Sequence, residues 1–168
     1  MSPMASALLP DRLGGAPHSK RSLRLWLRLL TCTTTIEQRV SQRLRDEFAT
    51  TLPRFDLLAA LDRAGQNGLT MGEAADRLMV SNGNITGLAA RLRADGLVEA
   101  MAGTDRRVQR LRLTTAGQAR FAIMAAAHEA WIETLFADLT DTEADDLTGL
   151  LERTKRSLEA AAREEPSR

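Results

Sequence analysis

The chain has 168 residues, 43% apolar and 27% charged, with a formal net charge of +1. That length fits one compact domain, or a domain with an oligomerisation arm, and a mean hydropathy of −0.24 with no unbroken apolar run near about 18 residues excludes a membrane-spanning helix. A single cysteine, Cys32, excludes an internal disulfide, and one Cys with two His leaves too few ligands for a structural zinc site, so neither metal nor cofactor is expected.

The opening stretch MSPMASALLP has no cationic leader before its short apolar run, so the expectation is a soluble protein with the cytoplasm as its default location. Charge is uneven along the chain. Residues 1–128 hold 18 Lys and Arg against 11 Asp and Glu, and residues 129–168 hold 5 against 11. Local rather than summed charge attracts phosphate, so a basic body with an acidic tail points to a polyanion partner on one surface. Arginines make up 21 of the 23 cations. Their forks hold phosphate or a guanine edge bidentately, and the same bias also follows from genome composition.

Pro3, Pro10, Gly14, Gly15 and Pro17 cannot sustain a helix, so residues 1–18 read as a flexible arm. From Ser19 to about Phe48 a polar stripe (Arg21, Arg24, Arg28, Thr31, Thr35, Gln38, Gln42, Arg45) recurs by threes and fours, which predicts one long helix. Its first half is apolar around the rest of the circumference, wider than one monomer core needs, so a partner helix is expected there. Pro53 suits the first turn of a second helix, which carries Phe55, Leu57, Leu58 and Leu61 and ends at Gly65 and Gly68. Thr70 and Glu73 form a T-x-x-E capping box for a short third helix. Ser81 caps a fourth helix to Ala94, stopped by a left-handed Gly96. Leu97–Ala100 and Val108–Leu113 read as a β-hairpin with Asp105, Arg106 and Arg107 at its tip. Thr114 and Thr115 cap a fifth helix to about Phe136, and Thr140 with Glu143 starts a sixth bearing Leu147, Leu150, Leu151 and Leu158.

On a wheel of the fourth helix, Ile85, Leu88 and Leu92 take one side, and Gly83, Gly87, Ala90 and Ala94 take the other. Each interior glycine costs about 1 kcal/mol relative to alanine, so a bare strip suggests close approach of another molecule, although tolerated glycines on a solvated helix give the same pattern. Asn84 and Arg91 flank the strip on one edge, Thr86 and Arg93 on the other, with Asn82 in the first turn. A DNA major groove fits that profile, since Asn, Thr and Arg reach base edges or phosphates. A hairpin beside such a helix puts Arg106 and Arg107 over the adjacent minor groove, with Asp105 orienting a neighbouring Arg. Arg110 and Arg112 add two more cations to that wing.

Three segments carry a resemblance to the MarR family of winged helix-turn-helix regulators: TLPRFDLLAAL (51–61), LTMGEAADRLMVSNGNITGLAARLRADGLVE (69–99) and DRRVQRLRLTTAG (105–117). The resemblance spans residues 19 to about 160. It implies a mainly α fold with a small β-hairpin wing: a winged helix-turn-helix lobe at 49–113, a helical dimerisation body at 19–48 and 114–162, and a disordered tail at 163–168. It further implies a homodimer binding double-stranded DNA at a pseudo-palindromic operator through Thr70, Ser81, Asn82, Asn84, Thr86, Arg91, Arg93, Asp105, Arg106 and Arg107. RLWLRLL (24–30), LPRFDLLAAL, MVSNGNITG and HEAW (128–131) are similar to the branch that represses aromatic-acid catabolism and responds to hydroxycinnamates or their coenzyme A thioesters.

For such an effector, Arg39 and Arg43 continue a row that is apolar earlier in the first helix, at Leu25, Leu29, Cys32 and Ile36. With Arg28 they form the candidate cations, and Trp26, Phe55, Met124, His128 and Trp131 the candidate wall. Taken singly, each also fits an ordinary core or solvated position. Cys32 reads as a small buried hydrophobe rather than a peroxide sensor, since its surroundings are apolar and the chain has no Tyr. His128–Glu129 lacks the second His of a metalloprotease, and no acid-base or nucleophile grouping supports an enzyme. A winged helix used only for protein contact is the other alternative.

Overall fold

The computed structural model describes residues 17–102 and 109–164 in two units, one ending at Leu52 and the other beginning at Pro53. The first contains α1 (Pro17–Phe48), a 32-residue helix. Pro17 takes its first position, where a missing N–H is no loss, so the helix starts two residues inside the expected arm. Leu23, Leu25, Trp26, Leu27 and Leu30 are exposed, whereas Val40 and Leu44 are buried. Cys32 is exposed, which corrects the expectation of a buried side chain: in the single chain the helix face it shares with Leu25 is uncovered. The helix closes with Ala49 left-handed (φ 51°) and the Thr50 N–H donating to the Leu44 carbonyl at 3.1 Å.

In the second unit α2 (Leu52–Ala64) carries Pro53 in its first turn and buries Phe55, Leu57, Leu58, Ala60 and Leu61. A single 3₁₀ turn (Gly65–Asn67) leads to β1 (Leu69–Thr70), α3 (Met71–Leu78), α4 (Asn82–Ala94), β2 (Val98–Ala102), β3 (Gln109–Leu113), α5 (Thr115–Leu135) and α6 (Asp141–Glu164). Helix α6 runs two residues into the expected tail. The sheet is antiparallel in the order β1-β3-β2, with Leu69 opposite Leu111 and Val98 opposite Leu113. The hairpin was expected, but its third strand was not, because two residues carry no periodicity.

Local chemistry accounts for most of the helix ends. Thr70 accepts from the Glu73 N–H while Glu73 accepts from the Thr70 N–H, completing the capping box of α3. Ser81 accepts from the Asn84 N–H, Thr114 from the Gly117 N–H, and Thr140 from the Glu143 N–H. At the end of α4, Gly96 is left-handed (φ 70°), and Gly96 and Leu97 donate to the carbonyls of Arg93 and Leu92. These are the two bonds of a Schellman stop. Under α4 lies the core of this unit, with Ile85, Ala89 and Leu92 fully enclosed together with Leu57, Leu58, Leu69, Ala74, Val98 and Leu111. Gly117 is dictated by contact, since a Cβ there would overlap the Leu97 carbonyl oxygen.

Candidate nucleic-acid interface

Helix α4 presents two unlike faces. Ile85, Ala89 and Leu92 are buried and Leu88 is half-buried, while Gly83, Gly87, Ala90 and Ala94 are exposed. A Cβ on Gly83 or Gly87 would meet nothing within 4 Å, so packing inside the chain does not require these glycines. Asn82, Asn84, Thr86, Arg91 and Arg93 are all exposed around this strip. Six of the expected DNA contacts, counting Ser81 at the N-cap, therefore belong to one outward surface.

Their hydrogen bonds leave capacity for a ligand. The Thr86 hydroxyl donates to the Asn82 carbonyl at 2.9 Å, so its lone pairs stay available as acceptors. Ser81 Oγ is committed as acceptor to the helix cap and keeps its proton to donate. Thr70 sits apart from the α4 strip, in β1 and at the cap of α3, where both its backbone N–H and its Oγ bond Glu73. Asp105, Arg106 and Arg107 lie outside the described residues.

The wing stem departs from expectation. Arg110 and Arg112, expected as wing cations, face partners inside the unit. Arg110 donates from Nε to the Asn67 carbonyl (2.8 Å) and from Nη2 to the Gly68 carbonyl (3.0 Å) and Glu73 Oε2 (2.8 Å). Arg112 donates from Nε to Glu99 Oε1 (2.6 Å) and from Nη1 to Gln66 Oε1 (3.3 Å). Paired this way they are poor phosphate ligands. No sequence spacing announces these bonds, because Arg110 and Glu73 lie 37 positions apart. The same holds for the ion pair between Arg54 of α2 and Asp95 at the end of α4.

The Glu73 carboxyl is held below the usual range, first by the Thr70 backbone N–H and then by the Arg110 cation, against a small desolvation effect. A cleft of about 450 Å³ runs between α2, the turn after α3 and α4, bordered by Arg63, Arg77, Met79, Asn84 and Leu88. One wall of that cleft is thus an expected base-reading residue.

Among the expected effector residues, the second unit gathers Phe55, Met124, His128 and Trp131. The Phe55 ring stacks on His128 at 4.9 Å, and His128 meets Trp131 edge-on at 6.4 Å. Phe121 joins the cluster 5.6 Å from Phe55. The expected wall lacks this ring, although 121, 124, 128 and 131 share one helical face. Phe55, Met124 and Trp131 are buried, leaving Phe121 and His128 half-buried as the accessible rim. Burial lowers the His128 pKa. Trp26, Arg28, Arg39 and Arg43 are exposed on α1. At 100° per residue Trp26 faces about 160° away from Arg28, so the two cannot wall one pocket from the same helix.

Among the described residues no group of three or more His, Cys, Asp or Glu is placed to hold a metal ion, and no helix is long and apolar enough to cross a membrane. Residues 50–108 match the MarR family model. The chain is 37% identical over 93 residues to the transcriptional activatory protein BadR of Rhodopseudomonas palustris, a match covering 55% of this chain and about half (51%) of that protein. Its fold superposes on a MarR family transcriptional regulator from Silicibacter pomeroyi with a TM-score of 0.73 and 28% identity, over 86% of this chain and 99% of that one. It also matches the fold of MepR of Staphylococcus aureus, solved in complex with DNA, with a TM-score of 0.67 and 21% identity over 79% and 94% of the two chains. The capped helix pair, the outward glycine strip and the sheet behind it are thus the winged helix of a known lineage, and the chain belongs to the MarR family, whose members regulate transcription rather than catalyse a reaction.

Proposed function

We propose that the chain is a homodimeric regulator that binds a pseudo-palindromic duplex, laying α4 of each protomer in a major groove and the Arg106–Arg107 tip along the neighbouring minor groove. One observation carries this reading: the outward strip of α4 is bare of side chains, in open space, and edged by exposed Asn84, Thr86, Arg91 and Arg93. A groove floor needs such a surface, because the helix backbone must come close before side chains reach base edges. In support, MepR, of the same fold, has been solved with DNA. Dimerisation is supported by exposed leucines, Leu23, Leu25, Leu27 and Leu30 on α1 and, separately, Leu147, Leu150, Leu151 and Leu158 on α6, since a monomer seldom leaves so much apolar surface wet.

The effector in this proposal is an aromatic acid or its coenzyme A thioester, received in the second unit at the Phe121–His128 rim of the aromatic cluster, and its binding releases the protein from DNA as a repressor. Release requires different effector affinity for two conformers, not merely tight binding. Activation is the second reading, favoured by the name of the 37% identical BadR. The test is a gel-shift titration on the DNA upstream of the chain's own gene, repeated with hydroxycinnamates and their thioesters, beside a reporter driven by the same DNA. Retarded DNA that an aromatic acid frees, with rising reporter output, supports repression. Falling output supports activation. No retardation at moderate salt, or a monomer by light scattering at micromolar concentration, overturns the proposal.

A further inference from the structure

We propose that Arg110 is a positioning residue that locks the wing strand to the first turn of α3, so that wing and α4 meet DNA as one preformed unit; this rests on the DNA-binding reading above. Arg110 lies opposite Thr70 across the β3–β1 pairing, and Thr70 is also the residue that caps α3. The guanidinium fork is filled by three acceptors, the Asn67 and Gly68 carbonyls and Glu73 Oε2, all within the segment that leads into α3. That same Glu73 oxygen accepts the Thr70 N–H at 2.8 Å. One carboxylate oxygen therefore joins the start of the helix-turn-helix to the stem of the wing. Arg112 fixes the other edge, bonding Glu99, its opposite residue on β2.

The arrangement does more than hold the fold. The Arg110 and Glu73 side chains are 28% and 47% exposed, and ion pairs this wet add little to folding stability. What a planar fork with three fixed acceptors supplies is direction. β1 is only two residues long, so its ladder alone is a weak tie between the sheet and α3. A two-point grip on a duplex is strong when the two points are already spaced correctly, because ordering them on binding subtracts from affinity. Lysine could not replace Arg110, as a point charge lacks the fork.

The experiment is a double-mutant cycle in the full chain, read by anisotropy on a labelled duplex carrying the tightest sequence that the parent selects from a random pool. The wing-tip variant, Arg106→Ala with Arg107→Ala, is compared in the parent, in Arg110→Met, and in Glu73→Gln, which retains the capping bond because Gln serves the same box. Thermal melting establishes that each variant is folded. The expected result is a loss of about tenfold or more from the wing-tip change in the parent, shrinking below about threefold with Arg110→Met and partway with Glu73→Gln. An equal loss in every background overturns the proposal while leaving the wing as a DNA contact. No loss in the parent overturns the wing reading itself, and the proposal with it. Should Arg110→Met not fold, the Glu73→Gln arm decides by the same criterion.

Discussion

Replacing Gly87 by alanine separates the two explanations of the bare strip, because they predict opposite signs. Gly87 lies within α4, has no left-handed φ, and a Cβ there would touch nothing within 4 Å. The substitution therefore removes unfolded-state entropy without strain, which stabilises the chain by roughly 0.4–1 kcal/mol. In a chain of this size that raises Tm by about 2–4 °C per kcal/mol. Binding moves the other way if the strip faces a groove floor. A methyl forced into a well-packed contact costs about 1–3 kcal/mol, or roughly 5- to 150-fold in Kd. Gly149 of α6 is the control: it is helical and exposed, and an added Cβ would meet nothing within 4 Å, so Gly149→Ala gains similar stability and leaves DNA binding untouched. Differential scanning calorimetry and an anisotropy titration on the selected duplex supply the two numbers. A Gly87→Ala chain that melts higher and binds as tightly as the parent refutes close approach at this face.

Three further outcomes follow from the geometry. Gly117→Ala should destabilise the second unit by about 3 kcal/mol, since its Cβ would collide with the Leu97 carbonyl at the start of α5, and an unchanged Tm contradicts that packing. Asn84→Ala should lower the ratio of operator to random-DNA affinity by about 1–3 kcal/mol while the salt dependence stays the same; an unaltered ratio removes this side chain from base reading. Burial depresses the His128 pKa, so the unfolded chain binds the proton more readily than the folded one, and stability is full above the ordinary His value of 6.5 and falls as pH drops below it. His128→Gln should flatten that part of the stability curve. The losses set by the lowered carboxyl values of Glu73 and Glu143 belong to a more acid range, below 4.5, and should persist in the variant.

What the sequence disclosed and what it withheld divide along the range of the interactions concerned. Thr70 with Glu73, Ser81 with Asn84, Thr114 with Gly117 and Thr140 with Glu143 each act across three residues, so the letters alone announce the helix starts. The glycine strip of α4 is visible for the same reason, since helical periodicity converts spacing into a face. By contrast, Arg110 and Arg112 look like free wing cations in the sequence because their partners, Glu73 and Gln66, arrive from 37 and 46 positions away. Strand β1 escapes notice because two residues have no period, and the contact that fixes it is the closeness of Gly68 to the Leu111 backbone, again long-range.

This division bears on how the basic surface is to be understood. Counting arginines along the chain makes the stem of the wing the most cationic segment, yet two of its arginines are held by Glu73 and Glu99, and Arg54 is held by Asp95. A charge paired with a carboxylate attracts phosphate weakly and releases few counterions. The exposed cations of α4, Arg91 and Arg93, therefore carry the electrostatic share of binding within the described part of this lobe. Charge that seemed to advertise a DNA contact instead sets the angle at which the contact is made.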